Sequence, residues 1–259
     1  MALDSCILVL FQKIMTYCLG IKVKEGLIAL ADTRITSGTE TTVKKKLTTV
    51  QKDGGSMFIM TSGLRSVRDK AVVYFNELVE TKTFDKLYQA VNAFGEQVRR
   101  VGEEDRATLE KAGFKFDLNT IIGGQLKGDD EHKLFLLYPE GNWVELGQGA
   151  PFVAIGNSGH GKAILNRTLD EDSGMHLALK AAFLSFDSTR VSSNNVDFPI
   201  DIALYRKDTF ELVEQRYTQK DMASISAQWD DELKAALQNI SGDWMEKAFA
   251  KLPKVKDEV

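Results

Sequence analysis

The chain has 259 residues, of which 43% are hydrophobic and 27% are charged, a composition that is ordinary for a globular protein. Its formal net charge of -4 does not indicate nucleic acid or an anionic membrane as a partner. Two cysteines, Cys6 and Cys18, and three scattered histidines form no disulfide framework and no metal-binding motif. This argues against a metal-dependent hydrolase, predicts no metal cofactor and fits a reducing, cytosolic compartment.

The first 15 residues differ in character from the rest of the chain. The apolar run Cys6–Phe11 is too short to span a bilayer and lacks the basic flank and cleavage site of a secretory signal. Residues 1–15 are therefore interpreted as a leader, a propeptide or the product of a mis-assigned start, and the third is favoured. Met15 stands directly before Thr16, and clipping of an initiator Met15 would make Thr16 the N-terminal residue.

The first half of the chain predicts a block of strands followed by two helices. Apolar residues alternate or run continuously between turn signals, and Asp53-Gly54 predicts a hairpin. The predicted strands are 16–23, 26–34, 43–53 and 56–63. Apolar residues then recur at helical spacing, which predicts helices over 64–80 and 84–101.

A second block of strands precedes the remaining helices. The strands are predicted over 118–126, 132–141, 142–148 and 152–156. Helices are predicted from about Gly161 and over 175–186, then strands over 198–206 and 210–218, and finally a polar C-terminal helix. The order predicts an α+β fold in which two stacked sheets are covered by helices, a four-layer α-β-β-α sandwich. We expect residues 16–259 to form a single domain.

An N-terminal threonine can act as a nucleophile without a histidine or a metal. Its hydroxyl needs an adjacent base, and its own α-amine, with a pKa of about 7.7–8.0, is partly neutral at physiological pH. Asp32 closes a buried strand, where a carboxylate is costly unless it is paired. Lys44, Lys45 and Lys46 are expected on the following strand. Because neighbouring strands lie about 4.8 Å apart, a lysine there can reach Asp32 and the start of the first strand.

The order and spacing of these motifs resemble the proteasome β-subunit and HslV family of N-terminal-nucleophile hydrolases. The shared motifs are Thr16, Ala31-Asp32-Thr33-Arg34, Lys46-Leu47 and Met60-Thr61-Ser62-Gly63. The opening Met15-Thr16-Tyr17-Cys18 and the stretches 154–165 and 185–189 resemble the bacterial Anbu (ancestral β-subunit) branch of the family. The resemblance extends from Met15 to about Thr218.

The resemblance implies a role for each of four matching residues. Thr16 is the nucleophile and, through its amine, the general base. Lys46 lowers the pKa of the hydroxyl, Asp32 pairs with that lysine, and the backbone N–H of Gly63 stabilises the oxyanion. Lys45 remains an alternative to Lys46, because the turn before the lysines is shorter than in proteasome subunits.

The resemblance also implies a supporting polar network near the amine of the nucleophile. Ser158 and Asp187 are its expected members. Asn157 is an alternative to Ser158, and the serine expected after Asp187 is either Ser188 or Ser192.

The function that the resemblance implies is that of a threonine-type endopeptidase that needs no cofactor. The partners it implies are a peptide or protein substrate and further copies of the chain, in a closed ring or an open ring turn; it does not specify an ATPase partner. Thr36 and Met60 are expected to line the substrate pocket, by their positions after Asp32 and before Gly63.

Three alternatives to this function follow from the same residues. A retained leader 1–15 would mask the amine and leave a non-catalytic assembly subunit. An amidase acting on a small amide or isopeptide would use the same fold and nucleophile. The segment Gly156–Lys162 has the spacing of a phosphate-binding loop, but Ala163 lacks the hydroxyl that binds Mg²⁺, which argues against nucleotide binding.

Overall fold

The structure, a computed structural model, describes residues 16–37, 40–52, 54–147 and 149–253, without the side chains of residues 36, 37 and 40. The predicted leader, residues 1–15, lies outside the described residues. The strands are β1 (Tyr17–Val23), β2 (Gly26–Asp32), β3 (Arg34–Ser37), β4 (Glu40–Val43), β5 (Leu47–Lys52), β6 (Gly55–Gly63), β7 (Leu118–Gln125), β8 (Lys133–Leu137), β9 (Trp143–Glu145), β10 (Phe152–Gly156), β11 (Ile200–Arg206) and β12 (Leu212–Tyr217). The helices are α1 (Arg65–Thr81), α2 (Leu87–Lys111), α3 (Gly159–Thr168), α4 (Met175–Ser192), α5 (Gln219–Asn239) and α6 (Asp243–Phe249).

Two five-stranded sheets form the centre of the molecule. The first has the order β10-β1-β2-β11-β12 and the second has the order β5-β6-β7-β8-β9, while β3 and β4 form a separate hairpin. All neighbouring strands are antiparallel. The predicted hairpin is present between β5 and β6, where Lys52 lies opposite Gly55 and Gly54 has a φ of +78°.

The two sheets pack face to face, and helices cover their outer faces. Apolar side chains from both sheets meet in one core, for example Ala29 and Ala203 from the first sheet with Phe58 and Ile121 from the second. Helices α1 and α2 pack on the second sheet, while α4 packs on the first sheet and α3 packs on α4. All seven residues of β2 are buried, as expected for a strand covered on both faces. The predicted four-layer α-β-β-α sandwich is confirmed.

The predicted strand 43–53 is wrong in its first part. Residues 44–46 form an irregular connection between β4 and β5, so the three lysines do not lie on a strand. The predicted strand 26–34 also ends early, at Asp32. The reason is local hydrogen bonding: the N–H of Lys44 donates to the carbonyl of Thr33, and the Lys46 ammonium donates to the carbonyl of Arg34.

The described residues fall into two compact units, of which the first runs to Gln219 and the second begins at Lys220. Neither α5 nor α6 contains a buried residue. The assignment of residues 16–259 to one domain stays a prediction. None of the described helices is both long enough and apolar enough to cross a membrane.

We expect Phe94→Ala to lower the free energy of unfolding by about 3–5 kcal/mol, because a buried ring is lost and a cavity remains. Phe94 is fully buried in the core under α1 and α2, and its ring lies edge-on to Phe75 with 5.3 Å between centroids. Phe114, which is 55% exposed, provides the matched control, and Phe114→Ala should change the free energy by less than about 0.5 kcal/mol. Urea denaturation followed by circular dichroism measures both; equal losses would contradict this description of the core.

Candidate active site

A buried ion pair joins the end of β2 to the connection before β5. The Lys46 Nζ atom lies 2.7 Å from Asp32 Oδ1, and the two side chains are 4% and 0% exposed. The same ammonium donates to the carbonyl oxygen of Arg34 at 2.6 Å. Asp32 Oδ1 also accepts a hydrogen bond from the backbone N–H of Tyr17 at 2.8 Å. One carboxylate oxygen therefore holds both the lysine and the start of β1.

Burial and the neighbouring donors have opposite effects on the pKa of the Asp32 carboxyl. Burial raises the pKa of Asp32 above its ordinary value, while the Lys46 ammonium and the backbone N–H groups of Tyr17 and Arg34 oppose that rise. The ionised carboxylate thus depends on its partners. Removing Lys46 alone would leave a buried charge without compensation.

Thr16 lies directly before β1 and is buried, with 3% of its surface exposed. Its carbonyl oxygen accepts a hydrogen bond from the backbone N–H of Asn157 at 2.6 Å. Gly156, with a φ of +84°, approaches so closely that a Cβ atom there would lie 2.0 Å from the same carbonyl oxygen. The backbone of Thr16 is therefore fixed on one side by the junction of β10 with α3, and through Tyr17 on the other side by Asp32.

Gly63 ends β6 at the point where the chain turns into α1. Its φ is +143°, and a Cβ atom there would lie 2.1 Å from the carbonyl oxygen of Asp117, so only glycine fits. The next residue, Leu64, donates its N–H to that same carbonyl at 2.8 Å. Strand β6 also contacts β1, because the Cys18 thiol lies 3.7 Å from the carbonyl oxygen of Thr61. This contact joins the two strands two residues after Thr16 and two residues before Gly63.

The structure distinguishes Lys46 from Lys45 by their partners. Lys45 pairs with Glu214 and is 46% exposed, so it does not share the buried pair. Met60, expected in the substrate pocket, is fully buried and lies opposite Leu47, the residue after Lys46. The side chain of Thr36, the other expected pocket residue, lies outside the described part of the chain.

The two expected network residues lie on separate elements. Asp187 is a buried residue of α4, and its Oδ1 atom accepts hydrogen bonds from the Nε and Nη2 atoms of Arg190 at 3.0 Å and 2.8 Å. Ser158 is half-buried directly before α3 and makes no side-chain capping bond there. Asn157 contacts Thr16 through its backbone. Of the two serines considered after Asp187, Ser188 is half-buried and Ser192 is exposed.

The polar contact that connects β1 to α4 was not anticipated from the sequence. The Tyr17 hydroxyl donates to Ser185 Oγ at 2.7 Å, and the Tyr17 ring packs against Phe186 with 5.9 Å between centroids. Gly161 lies against Ser185, since a Cβ atom at Gly161 would be 2.0 Å from the Ser185 carbonyl oxygen. That glycine is therefore explained by packing of α3 on α4. The sequence offered no periodic signal that singled out Ser185.

Cys18 lies beside the ion pair but is not an active thiol. Burial raises the pKa of Cys18 to about 12, although the charge of Lys46 acts against the rise. The thiol therefore stays protonated at neutral pH and is a poor nucleophile. Among the residues that the structure describes, no three or more His, Cys, Asp or Glu side chains are grouped so that they could hold a metal ion.

Comparisons with known proteins agree with this geometry. The family described as "Proteasome subunit" matches residues 15–200, whereas a comparison with curated protein sequences finds no match. Several solved structures are similar over nearly their whole length. An Anbu (Gly-1) mutant from Hyphomicrobium sp. strain MC1 has 33% identity and a TM-score of 0.80, covering 87% of this chain and 98% of that chain.

Two further Anbu structures have a comparable fold. Anbu (ancestral beta-subunit) from Yersinia bercovieri has 28% identity and a TM-score of 0.81, covering 88% of this chain and 98% of that chain. The Anbu complex from Pseudomonas aeruginosa, described as a helical assembly, has 26% identity and a TM-score of 0.83 over the same shares of the two chains. The resemblance predicted from the sequence is confirmed: the chain belongs to the proteasome subunit family and, within it, to the Anbu proteins.

Proposed function

We propose that this chain is a threonine-type peptidase whose nucleophile is the Thr16 hydroxyl, freed by removal of residues 1–15. The observation that carries the proposal is the buried pair of Lys46 with Asp32, next to the first residue of β1. A buried pair of this kind is expensive to keep for stability alone. Membership of the proteasome subunit family, which includes hydrolases of this type, supports the same function.

The ammonium of Lys46 is suited to activate the hydroxyl. A lysine ammonium has three N–H donors, and two are directed to Asp32 and to the Arg34 carbonyl. Within the residues that the structure describes, no hydrogen bond engages the third, and we assign it to the Thr16 hydroxyl, whose pKa a positive charge lowers. Because Asp32 and the Arg34 carbonyl fix the lysine, the charge is in place before substrate binds.

The reaction proceeds by acyl transfer. The Thr16 α-amine takes the hydroxyl proton while the oxygen attacks the peptide carbonyl, and the N–H of Gly63 stabilises the oxyanion. The amine then gives the proton to the leaving nitrogen as the C–N bond breaks, which leaves an ester on Thr16. A water molecule activated by the same amine hydrolyses the ester and restores the hydroxyl. Ser158 and Asp187 are proposed to orient the amine.

We further propose that the chain assembles with copies of itself into a ring or a helical turn. The support is the Anbu complex from Pseudomonas aeruginosa, whose structure is described as a helical assembly. Enclosure of the site in such an assembly would limit the substrates that reach it to extended peptides. No ATPase partner follows from these observations.

Intact mass of the protein made from its own gene should show a chain that begins at Thr16. A peptide epoxyketone, which reacts with both the hydroxyl and the amine of an N-terminal threonine, should then label that residue. Thr16→Ala should abolish labelling, and Thr16→Ser should retain it, because serine keeps both groups. A chain that keeps residues 1–15 and stays unlabelled would overturn the proposed peptidase activity. It would favour the alternative, a non-catalytic assembly subunit.

We expect Lys46→Met to lower kcat for peptide hydrolysis by at least about 100-fold, since the group that lowers the hydroxyl pKa is lost. Lys45→Met is the matched control, because Lys45 is a neighbouring lysine whose partner is the exposed Glu214. It should change kcat by less than about twofold, because the charge removed is exposed and screened by solvent.

The uncompensated Asp32 in Lys46→Met would also destabilise the fold by about 3–5 kcal/mol. The double variant Asp32→Asn/Lys46→Met removes both charges and should recover much of that stability without recovering activity. Thermal denaturation and initial rates separate the two effects. Activity in the folded double variant would exclude Lys46 from the reaction.

A further inference from the structure

A group of four charged side chains lies at the start of α1 and beside the connection before β5. This entrance cluster consists of Lys44, Arg65, Arg68 and Asp69. Arg68 donates through Nε and Nη2 to Asp69 Oδ1, at 2.9 Å and 2.5 Å. Arg65 donates through Nε to Asp69 Oδ2 at 3.3 Å. Lys44 is near enough for its charge to act on the Asp69 carboxyl.

Members of the entrance cluster are close in sequence to two of the proposed catalytic residues. Arg65 comes two residues after Gly63, while Lys44 comes two residues before Lys46, and the Lys44 N–H donates to the carbonyl of Thr33. Arg68 is only 13% exposed, and its charge reaches the Cys18 thiol, whose pKa it lowers against the effect of burial. A substrate bound between Gly63 and the lysine connection would therefore lie against this cluster.

The entrance cluster carries three positive charges and one negative charge. Burial alone would raise the pKa of Asp69, but Arg68, Arg65 and Lys44 lower it below its ordinary value, so the carboxylate is ionised. The charge of Lys46 is already balanced by Asp32. The four side chains of the entrance cluster thus have a formal charge of +2, in a protein whose formal net charge is -4.

Arg65 also has N–H groups that do not contact Asp69. Within the part of the chain that the structure describes, Arg65 contacts Asp69 only through Nε, which leaves its two terminal nitrogens for another acceptor. Planar guanidinium groups bind carboxylates through paired hydrogen bonds. The pair of Arg65 with Asp69 joins side chains that are 50% and 44% exposed, and a pair of this kind is weak enough to be exchanged.

We propose that the entrance cluster selects substrates with a carboxylate side chain on the residue that supplies the scissile carbonyl. That residue lies closest to Gly63, whose N–H contacts the carbonyl oxygen, and α1 begins two residues further on. The carboxylate binds Arg65 and Arg68, and Lys44 adds long-range attraction. This inference rests on the proposed peptidase activity of Thr16 and names its substrate class.

The test uses the chain beginning at Thr16 and four fluorogenic peptides that differ only at that residue, which is Glu, Gln, Leu or Lys. We expect kcat/KM for the Glu peptide to exceed that for the Gln peptide by about tenfold, equivalent to about 1.4 kcal/mol. The ratio should fall towards one as salt is raised to about 1 M, because exposed charges are then screened. The Lys peptide should be the poorest substrate of the four.

The variant Arg65→Gln/Arg68→Gln should reduce the Glu/Gln ratio to about one. The matched control is Arg100→Gln, which removes the charge of an exposed arginine on α2 that pairs with Glu104; it should keep the ratio. Rates of Thr16 labelling by epoxyketones with Glu or Gln at the same position give a second readout that does not depend on turnover.

Two results would overturn the inference, and they differ in what else they affect. Hydrolysis of the Gln, Leu or Lys peptide at a rate equal to or above that of the Glu peptide would leave Thr16 as the nucleophile and reject the acidic preference. Failure of all four peptides together with failure of every epoxyketone would reject the proposed peptidase and the preference with it.

Discussion

The buried pair of Lys46 with Asp32 is the interaction on which the arrangement around Thr16 depends. Two charges taken out of water must compensate each other, and here the backbone adds one hydrogen bond to each: the Tyr17 N–H donates to the carboxylate, and the Arg34 carbonyl accepts from the ammonium. The pair thereby fixes three segments of chain at one point.

The same end of β1 is held independently from the helical layer. Tyr17 bonds Ser185 and packs on Phe186, while the backbone before it bonds Asn157. The start of the strand is therefore constrained by the pair of Asp32 with Lys46, by the junction of β10 with α3, and by α4. A nucleophile placed there loses little conformational entropy when substrate binds, because its backbone is already ordered.

Hydrophobic periodicity predicted most of the fold, because β1, β2, α1 and α2 have patterns that burial alone explains. The prediction from periodicity failed between residues 33 and 46. There, hydrogen bonds to the carbonyls of Thr33 and Arg34 determine the backbone path, and the alternation of apolar and polar residues around the lysines is weak. The pairing of Asp32 with a lysine could be expected from the cost of a buried carboxylate. The choice of Lys46 over Lys45, and the contact of Tyr17 with Ser185, depend on side-chain directions that one sequence does not contain.

Gly63 combines a structural role with the proposed catalytic one, and selection would act on the two roles differently. Its close approach to the Asp117 carbonyl is a requirement of the strand-to-helix turn, so the fold needs glycine whether or not the site works. A lineage that lost activity would therefore keep Gly63 and change at Thr16 or Lys46, whose side chains the turn does not require. Among relatives, that glycine would indicate that the fold is kept, while the threonine and the lysine would indicate whether the proposed chemistry is kept.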